Sequence, residues 1–572
     1  MKCFTGPNAL ERTGFAAGIR IRRTYAAARA EGVRATGLNS KILNCSGRDS
    51  MKKSFLAALI VGAICFSATV DGWSGPPKSG GVIIYGRGAD SVTLDPARSD
   101  DVESAKVLEN IFEGLVRYKN DSTEIEPCLA ASWKSSRNET EWIFHLRKGV
   151  RFHDGTAFNA DAVVFSFMRQ MDTRHSYHLE DFKYAGFTFK YVRNVEPLDD
   201  YTVRITLDKP YAPFLYNMAM TSAAIVSPAS VSRWKDESWK HPVGTGPFRF
   251  EEWVQNERIV LHRNPAYWGS AAYLDTVVFK STLDNRDRLL ELKTSAIHIM
   301  DGISPGSIHE IVRSDAMELK SSAGVNIGYL AMNTEKQPFD NLKVRQAVNH
   351  AIHKKNLVKL LYQDMAVPAK SPIPPTLWGY ADELVDYEYD PEKARALLKE
   401  AGYDGGFTTT LWAMPVPRPY MPEPEKIARA IKSNLAAVGI HADIVTHDWG
   451  TYLDKVSNGE HDMCLLGWIG DNGDPDNFLY MLLDKDNAVK PHAENVSFFK
   501  HETLHDILIE AQQISSRERR GELYKKAQEI IHMEAPWVPL VHAKQMVVCN
   551  RSVMGLAQHP TGIIRFQSVW KE

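Results

Sequence analysis

Apolar and polar positions follow two different patterns along this chain. Between about residues 79 and 320, short β-prone runs recur between turn residues: Val82-Ile83-Ile84-Tyr85, 142–146, 203–207 and Val277-Val278-Phe279. Such runs, bounded by Gly, Pro, Asn and Asp, predict short strands. Helical patches at 160–170 and 284–292 interrupt them. From about 325 the apolar spacing lengthens. Val344, Ala347, Val348, Ala351 and Ile352 fall at i, i+3, i+4, i+7 and i+8, the stripe of a helix facing a core. Asp390-Pro391-Glu392 opens another helix with an N-cap, an N1 proline and a first-turn acid. Ala394, Leu397, Leu398 and Ala401 line its face, and Gly402 ends it. A further helix over about 425–438, closed by Gly439, precedes a strand at 440–446, a short helix at 451–456 and a strand at 463–466. This alternation predicts a parallel or mixed sheet with helices on its faces. The segments 537–548 and 563–569 are β-prone again, which predicts a return of the chain to the first lobe.

A chain of 572 residues exceeds one hydrophobic core, so two lobes with a cleft between them are expected. The formal net charge of −2 is unevenly spread. Residues 1–50 carry +6, residues 51–72 carry +1, and the remaining 500 residues carry about −9. An acidic body argues against nucleic acid or anionic lipid as partner. Lys52-Lys53, the apolar run from Phe55 to Phe66 and the small residues after it have the layout of a secretory signal peptide, too short to span a bilayer. Ile64 stands before Cys65, where a lipid-anchor site takes a small residue. The expectation is a soluble exported protein in the periplasm, with lipid anchoring the alternative. The predicted organisation is 1–50 an upstream extension without packed structure, 51–72 a signal peptide, 73–322 the first lobe with an extra subdomain, 323–540 the second lobe, and 541–572 a return to the first. Cys128, Cys464 and Cys549 remain in the body, with neither a disulfide framework nor a zinc spacing.

The richest stretch for chemistry is Gly467-Trp468-Ile469-Gly470-Asp471-Asn472-Gly473-Asp474-Pro475-Asp476-Asn477. An acidic, turn-rich loop leaving a buried strand is where an α/β protein commonly meets its ligand, and an Asp beside a Trp suits a cationic amine. A calcium loop starting at Asp471 requires Gly and Glu where Asp476 and Leu482 stand, so calcium is excluded. Gly86-Arg87-Gly88 lacks the third glycine of a dinucleotide fingerprint, and neither a phosphate loop nor a nucleophile elbow occurs. His350 and His353, three apart on a helix, read as surface imidazoles. Two further clusters stand out. Met414-Pro415-Val416-Pro417-Arg418-Pro419-Tyr420-Met421-Pro422 holds Arg418 rigid after a strand, and Gly244-Thr245-Gly246-Pro247-Phe248 is a stiff turn that lets backbone approach a ligand. No enzyme, metal or cofactor motif is present.

Leu129-Ala130-Ala131-Ser132-Trp133, Phe144-His145-Leu146-Arg147-Lys148-Gly149-Val150, Phe152-His153-Asp154-Gly155-Thr156 and Asn264-Pro265-Ala266-Tyr267-Trp268-Gly269 closely resemble the family 5 extracellular solute-binding proteins of ABC importers. With Gly244 to Phe248, they extend the resemblance from about residue 80 to the end. Residues 373–380, 389–402, 411–420 and 467–478 resemble most the dipeptide-binding members. The resemblance implies a two-lobed α/β periplasmic-binding-protein fold with a hinged cleft, and no enzymatic activity. It implies that Arg418 pairs with a peptide carboxylate, that Asp471 pairs with the peptide amine, and that Trp468, Thr245 and Gly246 help bind. Asp474 and Asp476 then take turn-forming roles. Expected partners are a short peptide, most often a dipeptide, and the inner-membrane ABC permease, for a protein that is itself a monomer. Alternatives within the fold are haem, glutathione, a nickel chelate or an antimicrobial peptide, and outside it a secreted peptide hydrolase. Gly86 stands where the dipeptide-binding members carry a cysteine, so their disulfides do not carry over.

Overall fold

The computed structural model describes residues 21–22, 76–559 and 562–572. The signal-peptide expectation lies outside these residues, as does most of that for 1–50. Within the latter, Ile21–Arg22 is a two-residue strand paired antiparallel with Ala323 and Gly324. No helix among the described residues is long and apolar enough to cross a membrane.

A mixed sheet of 13 strands organises the chain. Its principal strands are β1 Val82–Arg87, β2 Phe248–Val254, β3 Arg258–Arg263, β4 Thr276–Ser281, β5 Ile299–Met300, β6 Met317–Gly324, β7 Asn326–Met332, β8 Phe407–Trp412, β9 Ile440–Val445, β10 Met463–Ile469 and β11 Trp537–Asn550. In space they run β9-β8-β10-β7-β11-β5-β1-β4-β3-β2. The β1/β4, β1/β5, β8/β9 and β8/β10 pairs are parallel, as strand–helix–strand connections require. β11, 14 residues long, joins the two halves. Its first part pairs with β7 (Val541 opposite Gly328) and its second with β6 (Lys544 opposite Ala323). Where the ladder changes partner, the Asn326 side chain takes over. Its amide donates to the Ala543 carbonyl at 2.9 Å and accepts from the Ala543 N–H at 2.7 Å.

Three large apolar cores, beside two smaller clusters among the described residues, hold most of the buried side chains. The largest lies around β7, β8 and β10 and is covered by helices that include Leu342–Ala351, Pro391–Glu400 and Pro424–Ala436. A second lies around β1, β3 and β4 and includes Val547, Val553, Leu556, Ile564, Phe566 and Val569 from near the chain's end. The third fills the face of a separate four-stranded antiparallel sheet, Ala130–Ser135, Glu141–Leu146, Thr202–Leu207 and Val192–Asp199, under helix Ala160–Met171. The local signals act as their chemistry dictates. The Asp390 carboxylate accepts from the Glu392 and Lys393 N–H groups ahead of Pro391.

Two expectations change. Residues 563–569 form no strand: the Asn110 side chain donates to Ile564 O at 3.0 Å and accepts from Phe566 N at 2.9 Å. Ile564, Phe566 and Val569 are buried, so their apolar character serves the core and not a ladder. His350 is no surface imidazole but is buried, with Nδ1 2.8 Å from Glu388 O. His353 caps the next helix and stacks on Tyr389. Cys128, Cys464 and Cys549 are free and buried.

Candidate functional site

The acidic loop leaves the end of β10 and is fixed by its own side chains. Asn477 Oδ1 accepts from Trp468 Nε1 at 3.0 Å and from the Asp471 N–H at 2.8 Å, while its Nδ2 donates to Asp471 Oδ2 at 3.1 Å. One amide thus locks the indole and the carboxylate together. Tyr184 OH, 287 positions earlier in the chain, donates to Asp471 Oδ1 at 3.0 Å. Two neighbouring loop residues reach the same side: Asn472 Nδ2 donates to Asn217 Oδ1 at 2.8 Å, and Gly473 N to Tyr118 OH at 3.2 Å.

Asp474 is not merely a turn former. It caps the turn by accepting from Asp476 N at 3.0 Å, but the same oxygen accepts from Arg520 Nη2 at 2.7 Å and from Tyr524 OH at 3.2 Å. Both ionised partners are buried, and Arg520 also lies under the Trp378 ring. Asp476 accepts from Gln512 Nε2 at 2.9 Å. Burial, reinforced by the Asp474 charge, pushes its carboxyl up to about 7.

Asp471 lines a cavity of about 80 Å³ together with Asp100, Asp101, Glu109, Tyr184, His559 and Arg565. Most of the charges in its walls are paired: Asp100 with Lys183 at 2.6 Å and Glu109 with Arg565 at 3.1 Å. Asp101 caps helix Val102–Ile111, and burial raises its pKa. A second cavity of about 70 Å³ lies on the other side of Trp468, walled by Tyr329, Tyr420, Trp449 and Leu466 with His492 and Glu494. It is apolar and aromatic with a few charged groups, a composition usual for organic ligands.

The structure brings some of the expected residues together and separates others. Asp471 lines the first cavity and Trp468 the second, tied to each other through Asn477. Arg418 lines neither. Its guanidinium lies 4.8 Å from the centre of the Trp449 ring, at the second cavity, and donates to Pro417 O at 3.1 Å. Thr245 and Gly246 also line neither. What approaches their backbone is the end of helix Val102–Ile111: Gly246 N donates to Ile111 O at 2.9 Å, and a Cβ on Gly246 would sit 2.7 Å from that oxygen. Thr245 Oγ1 donates to Glu113 at 2.7 Å, as do Tyr267 OH and Trp268 Nε1 at 2.8 Å. Burial raises the Glu113 pKa against those three donors. Tyr184, Asn477 and Arg565 escape sequence reasoning. Of these only Asn477 carries a local signal, an Asx residue six positions after Asp471.

The residues 124–490 match the model of the bacterial extracellular solute-binding proteins, family 5 (middle region). The chain belongs to this family. It is 38% identical over 483 residues to the dipeptide-binding protein of Escherichia coli, covering 80% of this chain and 88% of that one. It is 39% identical over 480 residues to heme-binding protein A of Haemophilus influenzae, covering 81% and 87%. Its fold matches the ABC transporter-associated periplasmic binding protein DppA of Helicobacter pylori in complex with the peptide STSA. That match has a TM-score of 0.75 and 39% identity, over 86% of this chain and 99% of that one. The fold is therefore the mixed α/β fold of periplasmic binding proteins. The protein is a family 5 solute-binding protein of the kind that serves ABC importers, and these relatives bind solutes without transforming them.

Proposed function

We propose that this protein captures short peptides, dipeptides foremost, in the periplasm and delivers them to an inner-membrane ABC permease. The observation that carries this reading is the fixed Asp471 carboxylate, held by Asn477 and Tyr184 at a cavity wall beside the indole of Trp468. A free peptide is a zwitterion, and burying either end unpaired costs several kcal/mol. In this reading Asp471 accepts from the ammonium, and the Arg418 guanidinium, carried on Trp449, grips the carboxylate. Trp468 and the aromatic cavity take side chains, and Thr245 and Gly246 act by seating the helix behind the cleft. In the same reading the lobes are 73–322 with 541–572, and 323–540, with the β6–β7/β11 ribbon as hinge. Likeness to dipeptide- and peptide-bound relatives supports it. An exported signal-peptide precursor fits the same family.

The comparable identity to a haem-binding relative favours one second reading, haem in the same cleft. Calorimetry with dialanine, alongside haemin titration read in the Soret band, separates the two. Asp471→Ala and Arg418→Ala each lower dialanine affinity by roughly 30- to several-thousand-fold, the cost of about 2–5 kcal/mol for leaving one buried charge unpaired. Undiminished dipeptide binding in both variants overturns the assignment of the two charges. Haem binding without peptide binding overturns the peptide reading.

A further inference from the structure

Two glycines face each other in the middle of the largest sheet half, and neither is there for its backbone. β7 and β10 pair antiparallel with Gly328 opposite Gly467. Neither belongs to the residues with positive φ, so a side chain is conformationally admissible at both. Glycine inside a strand is less stable than alanine, and marks a close approach where no turn demands it.

What approaches is Tyr420. A Cβ on Gly328 would stand 2.7 Å from the Tyr420 carbonyl oxygen, and one on Gly467 would overlap the Tyr420 ring and the Ile327 carbonyl. The same Tyr420 carbonyl accepts from the buried Tyr362 OH at 3.0 Å. Tyr420 is thus held at its ring by one glycine gap, and at its carbonyl between the other glycine and a phenol. Two residues earlier stands Arg418. The intervening turn is closed at both ends, by Arg418 N to Met421 O at 3.1 Å and Met421 N to Arg418 O at 2.8 Å. Tyr420 and Met421 are buried while Pro419 is exposed, so the turn has a fixed base and an exposed tip. Pro417 and Pro419 remove further backbone freedom. Strand β10, which supplies Gly467, runs on into the loop that carries Asp471 four residues later.

We propose that the Gly328–Gly467 notch, by seating Tyr420 against β7 and β10, fixes the distance between Arg418 and Asp471 and thereby sets the peptide length that the site prefers. The inference rests on the reading of Arg418 and Asp471 as the two charge anchors. Gly328, Gly467, Tyr362 and Tyr420 are positioning residues. Two rigid charges act as a ruler: a peptide one residue too long or short reaches only one of them. A methyl group on Gly328 displaces the Arg418 turn from the sheet face, while Asp471 stays on the continuation of β10, so the separation of the two charges changes.

The test is calorimetry with dialanine, trialanine and tetra-alanine on the wild type, Gly328→Ala and Tyr362→Phe. Gly328→Ala is expected to change the ratio of dialanine to trialanine affinity by about tenfold or more, as a displacement of a good part of an ångström implies for an oriented contact. Tyr362→Phe removes only the hydroxyl that holds the carbonyl, adds no bulk, and is expected to shift the ratio a few-fold. A merely structural role lowers all three affinities together and leaves their ratio fixed. Should Gly328→Ala fail to fold, Tyr362→Phe carries the test. If the ratios stay fixed in the folded variants while Arg418→Ala and Asp471→Ala lose binding, the notch inference falls and the peptide reading stands. If the wild type binds none of the three peptides, both fall.

Discussion

Replacing Asp474 by alanine should destabilise the protein by about 3–5 kcal/mol, the usual cost of leaving one member of a buried ion pair alone. Asp474 is 0% and Arg520 3% exposed at the side chain, so solvent screens neither. Without Asp474, Arg520 keeps the Ala511 carbonyl at 2.8 Å, the Tyr524 hydroxyl at 2.8 Å and the face of Trp378 at 4.9 Å. These partners are neutral and cannot replace a counter-charge. Asp476 can do so in part. The Asp474 charge helps hold its carboxyl near 7, so loss of Asp474 favours ionised Asp476 beside the guanidinium. The expected loss therefore sits at the lower end, about 3 kcal/mol, or roughly 100-fold in the unfolding equilibrium. Urea unfolding at pH 7, followed by tryptophan fluorescence, measures it. The double variant Asp474→Leu/Arg520→Met removes both charges and should recover most of the loss, since an apolar pair of similar size avoids the desolvation cost. A single variant within 1 kcal/mol of wild type, or a double variant worse than the single, would refute the reasoning.

The Asp476 carboxyl is raised above its value in an unfolded chain, so its contribution to stability is present below about pH 4 and is lost as pH rises toward and through 7. Asp476→Asn, which keeps the acceptor for Gln512, should gain stability relative to wild type between pH 4 and 8 in denaturation series. A flat difference across that range removes the argument. Tyr184→Phe deletes the hydroxyl that donates to Asp471 and should weaken dialanine binding by about 3- to 10-fold, near 1 kcal/mol, measured by calorimetry at constant pH.

The elements with a strong local code were legible in the sequence. Asp390, Pro391 and Gly402 bound a helix that the structure places at Pro391–Glu400, and the 440–446 run became β9. Capping and period are local, so no distant residue has to be known. The tail 563–569 was misread because its β-prone residues meet the side chain of Asn110, more than 450 positions away. The same limit governs the candidate site. The loop of Asp471 and Trp468 stands out because an Asx-rich turn after an apolar strand is a local signal. The turn-forming role of Asp474 was legible, but its ion pair was not, because Arg520 lies on a helix 46 residues downstream, with nothing in either segment pointing to the other. Tyr184, 287 positions before Asp471, was out of reach for the same reason. Thr245 and Gly246 were picked for small size, and small size does explain them, but the object admitted is a helix end.

Adjacent residues of one loop serve two ends, and this ties the proposed ligand anchor to the packing of the loop against residues 118–217. Asp471 faces the cavity and accepts from Tyr184, Asn472 donates to Asn217, and Gly473 donates to Tyr118. All three partners lie in residues 118–217, while the loop continues β10 of the other half. Anything that steadies the loop against those partners also steadies Asp471, and if Asp471 is the amine anchor proposed above, linkage requires a ligand on it to strengthen the same contacts to the same degree. At about 1 kcal/mol per hydrogen bond, three of them can exchange on the order of 3 kcal/mol, or about 100-fold in affinity. Asn217 isolates this effect because it is buried and lines neither cavity. Asn217→Ala should therefore lower dialanine affinity several-fold without touching a ligand, with a rise in dissociation rate seen by stopped-flow fluorescence. An unchanged affinity, with the fold intact by circular dichroism, would mean that the loop holds its ligand and its neighbour independently.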